Sequence, residues 1–157
     1  MKTPDPYSLK HKPVFLLPYE EHDGPFARET DCKFLSVGWA QYDPGGISVK
    51  TLRHTDIKWS RQSEELPIHR AIDLVLLLAN AVRFGGGRIE LPAGTLENQP
   101  GVLAIDATLA NSTQANDFNV KLHDKAVLQR LGVLLHTLEG MRTQNLIESR
   151  SSFSGGD

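Results

Sequence analysis

Phe34-Leu35-Ser36-Val37-Gly38-Trp39-Ala40-Gln41, then Tyr42-Asp43-Pro44-Gly45-Gly46, then Ile47-Ser48-Val49-Lys50-Thr51-Leu52-Arg53-His54, is the stretch whose reading decides the fold. Leu35, Val37 and Trp39 recur every second residue, the period of a strand with one apolar face. Asp43-Pro44-Gly45-Gly46 then supplies turn chemistry: proline sets one dihedral and the glycines accept positive φ. Ile47, Val49 and Thr51 alternate against Ser48, Lys50 and Leu52 on the return. These features predict a β-hairpin.

Upstream, Met1 to Pro13 is polar and proline-bearing and reads as a loose lead-in. Val14-Phe15-Leu16-Leu17 reads as a short strand ended by Pro18, and His22-Asp23-Gly24-Pro25 as a turn whose loop can reach a site formed elsewhere. Downstream, Ile68, Ile72, Val75, Ala79 and Val82 form one helical stripe, so a helix is predicted from about Leu66 to Arg83. Leu74, Leu76, Leu77 and Leu78 widen the stripe until the helix looks buried on more than one side, in the core or against another subunit. Ser63 or Glu64 would cap its start, Pro67 suits the first turn, and Gly85-Gly86-Gly87 ends it. Arg88–Leu91 and Val102–Leu109 read as strands, Asn111 to Asp117 as a polar turn, and Phe118, Val120 and Leu122 as a further alternating strand. A second helix runs from a cap at Asp124 to about Arg142, with Val127, Leu131, Leu134, Leu138 and Met141 on one face. Asn145 to Asp157 reads as a frayed tail.

The expected architecture is therefore α+β. An antiparallel sheet built from two hairpins carries two helices packed on one face, in ββαββα order, as a single domain over residues 14–144. The opposite sheet face would carry Trp39 among others, and an exposed apolar face invites a homodimer or larger homo-oligomer.

Composition narrows the class. The chain has 157 residues, enough for one core without a disulfide or metal staple. A formal net charge of −2 is too small and of the wrong sign for general nucleic-acid binding. The longest apolar run, Leu74 to Ala79, is too short to span a bilayer. Cys32 stands alone, with no histidine pattern that would make it a nucleophile, and a soluble cytoplasmic protein with no membrane partner is expected.

Between hairpin and helix lies a long, charged, aromatic connection, the composition of a binding loop. Arg53, His54, Lys58, Trp59, Arg61 and Gln62 would suit an anionic small molecule: arginine forks grip phosphate or carboxylate oxygens, lysine adds charge, and tryptophan can stack on a base. The plainer alternative is that the charges solvate a loop while Trp59 plugs the edge of the core. Glu65, His69 and Asp73 are spaced four apart on one helical face. A carboxylate beside a histidine fixes its tautomer and raises its basicity, as a general base requires. The same acids could instead complement the helix dipole. The spacing does not match a zinc-protease helix, and neither a metal site nor a cofactor is assigned.

Lys58-Trp59-Ser60-Arg61-Gln62-Ser63-Glu64-Glu65-Leu66-Pro67-Ile68-His69-Arg70, with Ile72-Asp73-Leu74, resembles the central motif of a family of small bacterial proteins of unknown function. His11-Lys12-Pro13-Val14, Gly38-Trp39-Ala40-Gln41 and Arg53-His54-Thr55 resemble that family too. The likeness runs over residues 10–84 and brings no activity with it.

Three functional expectations follow from these residues. The first is a non-enzymatic module that binds an anionic, nucleotide-like ligand through Arg53, His54, Lys58, Trp59, Arg61, Gln62, Glu65 and His69, for sensing or sequestration. The second is a small hydrolase or lyase using His69 with Glu65 or Asp73. The third is a protein-interaction module of the inhibitor or immunity type.

Overall fold

The structure is a computed structural model that describes residues 5–60, 66, 68–85 and 87–148. The fold is α+β. Strands β1 (Lys12–Pro18), β2 (Cys32–Trp39) and β3 (Ile47–Arg53) form an antiparallel sheet in that order. Helix α1 (Ile68–Phe84) follows, then a second antiparallel pair, β4 (Arg88–Leu91) and β5 (Leu103–Asp106), and finally helices α2 (Ser112–Leu122) and α3 (Lys125–Thr143). The chain divides into two compact units after Leu122. Among the described residues no helix is long and apolar enough to cross a membrane.

The hairpin turns as expected, with Gly46 N–H donating to the Asp43 carbonyl at 2.8 Å. Register places Leu17, Leu35 and Thr51 in one row across the sheet and Phe15, Val37 and Val49 in another. Gly38 faces Pro13 so closely that an added Cβ would lie 2.2 Å from the Lys12 carbonyl oxygen, which only glycine tolerates.

Phe118, Val120 and Leu122 belong to α2 and not to a strand. Phe118 and Leu122 are buried one turn apart while Val120 is 60% exposed, so the apparent alternation is an i, i+4 helical pair with a solvent-facing valine between them. The polar run before them starts that helix. Asn111 Oδ1 accepts from Gln114 N–H, and Gln114 Oε1 accepts from Ala110 N–H, close to the reciprocal pattern of a capping box. The second hairpin is thus β4 with β5. Phe118 packs against Phe15 and edge-on against Trp39, so Trp39 sits over the core and not on an uncovered sheet face.

Helix α1 also differs from its sequence reading. Its buried residues are Arg70, Leu74, Leu77 and Ala81, whereas Ile68, Ile72 and Val75 are 81%, 55% and 41% exposed. The first half of the predicted stripe therefore faces outward, while Val82 in its second half packs against the core. Gly85, at φ +52°, ends the helix as expected. The second unit holds α3, capped by Asp124, whose side chain accepts from Ala126 N–H. No α3 residue is buried, and Val127, Leu131, Leu134 and Met141 of its apolar stripe are half-buried.

His11 enters the sheet fully buried, with Nε2 2.8 Å from Ser36 Oγ and Nδ1 3.1 Å from Ser48 Oγ. Burial, reinforced by Lys50, lowers its pKa from 6.5 to about 4. The unfolded chain therefore takes up this proton first, and stability falls as pH drops from 6.5 toward about 4. His11→Gln should flatten that part of the stability curve; denaturant midpoints at a series of pH values, unchanged in slope by the substitution, would show that His11 is not the group responsible.

Candidate functional site

The first turns of α1 meet the loop that joins β1 to β2. After Pro18 the chain reverses through short backbone bonds, among them His22 N–H to the Tyr19 carbonyl and Phe26 N–H to the Asp23 carbonyl. Gly24, at φ +50°, allows the turn to tuck beneath the helix. A Cβ there would lie 3.1 Å from the His69 ring and 3.3 Å from Glu97 Oε2.

The turn carries Asp23 into a fully buried position. Its Oδ1 accepts from His69 Nε2 at 2.8 Å and from Arg70 Nε at 2.9 Å, and its Oδ2 accepts from Arg70 Nη2 at 2.6 Å. Arg70 Nη2 also donates to Thr30 Oγ1. Burial alone would raise the Asp23 carboxyl, but hydrogen bonds with Arg70, Thr30 and His69 outweigh it and hold the group below its ordinary value. Asp23 is thus a carboxylate, so neutral His69 must donate from Nε2 and carry its lone pair on Nδ1. No partner for Nδ1 appears among the described residues, and the His69 side chain is 26% exposed. The Phe26 ring lies 5.9 Å from the imidazole.

Asp73, one turn along α1, accepts from the buried Tyr19 hydroxyl at 2.5 Å. Burial raises the Asp73 carboxyl, with the Tyr19 hydrogen bond opposing it. Burial and the Asp73 hydrogen bond push the Tyr19 hydroxyl far up, so it remains a donor. His22 lies beside the same turn, its Nδ1 3.1 Å from the Glu97 carbonyl oxygen.

The sequence-predicted residues separate into two groups. His69 and Asp73 sit in this cluster. Arg53 instead makes a two-bond ion pair with Asp31, at 2.9 Å and 2.7 Å. The His54 ring meets the Trp59 ring edge-on at 5.0 Å within a bridge that extends the β3 turn, and Trp59 also contacts Phe34. Lys58 is exposed. Arg61, Gln62 and Glu65, with the expected capping residues Ser63 and Glu64 and with Pro67, lie outside the described residues. Cys32 is buried, and burial pushes its thiol up to about 12, which leaves it protonated and unreactive. Among the described residues no group of three or more His, Cys, Asp or Glu side chains is placed to hold a metal ion.

Asp23, Arg70, Tyr19 and Glu97 were not among the sequence-predicted site residues. Asp23 left a trace, since His22-Asp23-Gly24 reads as a turn able to reach the site. Arg70 left none beyond its place in the motif, because an arginine in the first turn of a helix is ordinarily a surface residue.

The chain is thus an α+β protein with a histidine–aspartate–arginine cluster at the start of its central helix. It belongs to a family of unknown function (DUF6530), whose model matches residues 1–143 and so extends well past residues 10–84. No curated protein and no solved structure matches the chain.

Two substitutions test the electrostatics. Arg70→Ala leaves a buried carboxylate unpaired and should cost about 3–5 kcal/mol. Asp73 has the opposite sign: its raised folded value penalises the ionised form, so its contribution worsens as pH rises through the carboxyl range. Asp73→Asn should be neutral or stabilising at pH 7, with the gain fading in acid; chemical denaturation showing a large loss at neutral pH would contradict this account.

Proposed function

We propose that the chain is a small acid–base enzyme in which His69 moves the proton and Asp23 orients it. The observation that carries this reading is the 2.8 Å contact between His69 Nε2 and Asp23 Oδ1, with Asp23 buried and held ionised by Arg70. The arrangement leaves Nδ1 of a partly exposed ring as the basic atom. As Nδ1 takes a proton from water or a substrate hydroxyl, the imidazolium that forms is stabilised by the fixed charge of Asp23. Arg70 keeps that charge in place through the cycle. Asp73, whose carboxyl is raised by burial, lies one turn along on the same helical face. Hydrolysis or elimination on a polar substrate fits these groups. A cytoplasmic setting agrees with a single, buried thiol.

The alternative, an anion-binding module, has less support from the described residues. Arg53 is committed to Asp31, and Trp59 packs against His54 and Phe34, where a stacking base would need its face.

The test is a panel of activated esters, phosphodiesters and elimination substrates, run on the wild type, His69→Gln and Asp23→Asn, with melting curves to confirm folding. Turnover that falls by about 10²–10⁴-fold in His69→Gln is expected. Equal turnover in both proteins, or none on any substrate, defeats the reading. Calorimetric binding of a nucleotide that depends on Lys58 and Arg61 but not on His69 would instead favour the anion-binding module.

A further inference from the structure

The loop that joins β4 to β5 forms a further side of the His69 cluster. It is built around Gln99, a buried amide. Gln99 Oε1 accepts from Leu96 N–H at 3.0 Å, and its Nε2 donates to the carbonyl oxygens of Leu91, Pro92 and Gly101 at 3.0, 3.1 and 2.8 Å. Leu96 is buried beside it, and Asn98, at φ +56°, turns the chain back. Turn residues alone ordinarily hold such a connection. This one is fixed by a fully bonded buried side chain, and the residue it holds out between Leu96 and Asn98 is Glu97. His22 Nδ1, 3.1 Å from the Glu97 carbonyl oxygen, ties that backbone to the turn that carries Asp23.

The Glu97 carboxylate reaches the site and is unspent there. The point where a Cβ of Gly24 would stand is 3.2 Å from His69 Nε2 and 3.3 Å from Glu97 Oε2, so the two side chains border one small space. Glu97 is exposed, and among the described residues its carboxylate has neither a hydrogen-bond donor nor an ion-pair partner. The arginines of the two elements that meet here are committed: Arg70 to Asp23, and Arg28 to Glu21 at 2.7 Å. Burial, with the charges of Asp23 and Glu97 behind it, raises the Asp73 carboxyl, so negative potential reaches along the face of α1. Phe26, 48% exposed and with its ring 5.9 Å from the imidazole, adds an aromatic wall, and the face of such a ring also attracts a cation.

We propose that the His69 site takes a substrate bearing a protonated amine, which Glu97 binds and Phe26 flanks. An ammonium donates to the carboxylate and lays its alkyl chain on the ring, so it satisfies both groups. An anion would meet Glu97 and Asp73 with no uncommitted arginine from either element. A divalent metal ion fits less well, since it needs several oxygen or nitrogen ligands, and among the described residues no three such side chains converge. Glu97 is thus the residue that determines specificity. The inference rests on the acid–base reading for what happens to the bound amine, whereas recognition of its charge is read in binding alone.

The test is a titration of the full chain with n-butylammonium at neutral pH, followed by the NMR signals of the His69 ring, which the His69→Gln spectrum assigns. The ring signals should shift to saturation with n-butylammonium and respond far less to n-butanol or butyrate. Glu97→Gln should weaken the ammonium by about fivefold, the scale of one exposed ion pair, and Glu97→Asp by less. No saturable shift, an equal response to n-butanol, or unchanged affinity in Glu97→Gln would each overturn the proposal; the comparison of ammonium with alcohol needs no variant and decides even if Glu97→Gln melts early. Turnover separates this inference from the reading beneath it. The wild type should favour p-nitrophenyl ε-aminohexanoate over p-nitrophenyl hexanoate through KM, and Glu97→Gln should lose that preference. A preference that survives the substitution counts against Glu97, whereas no turnover of either ester defeats the acid–base reading and leaves the ammonium titration to decide the binding.

Discussion

The ion pair between Asp23 and Arg70 is the constraint around which the rest of the first unit is arranged. Both groups lie out of water, where an unpaired carboxylate or guanidinium is untenable, so each dictates the position of the other. Asp23 stands in a loop with little regular structure, and the pair converts that loop into a fixed wall against α1. Because His69 precedes Arg70 on the helix and shares Asp23 Oδ1, the contact that anchors the loop also sets the imidazole. Stability and site geometry are therefore one interaction, and Gly24 is needed because the turn passes directly under the ring.

Pairing also explains why the charged connection after β3 is a weaker candidate than its composition suggests. Arg53 looks like a ligand-gripping arginine until Asp31 is brought beside it by the β2–β3 register, where Cys32 pairs with Arg53. Trp59 looks like a stacking platform until the bridge to His54 turns its ring onto the hairpin. Charge and aromaticity in a loop signal binding only when the fold leaves them unspent.

Helix α1 serves two surfaces. Its inner face, through Leu74, Leu77 and Ala81, meets the core with Arg70 embedded at the entrance, and Ile68, Ile72 and Val75 on its outer face are exposed. An amphipathic helix at a surface normally turns charge outward. Over its first turns α1 instead turns Ile68, Ile72 and Val75 outward.

The sequence by itself determined the local elements whose chemistry is short-range. The Asp43-Pro44-Gly45-Gly46 hairpin, the α1 stop at Gly85, the Asp124 cap and β4 follow from turn residues, caps and periodicity, which act within a few residues. It also set Glu65, His69 and Asp73 on one helical face, because a four-residue spacing on a helix has one geometric meaning. Tertiary structure decided which face of α1 is buried: both faces are apolar, and only packing against β2 and β4 chooses between them. It decided that Phe118 and Leu122 are helical, since a period of two and an i, i+4 pair are indistinguishable over five residues until one valine is seen to face water. And it decided that the carboxylate beside His69 is Asp23, 46 residues away, because a buried charge selects its partner by proximity in space, which no local pattern encodes.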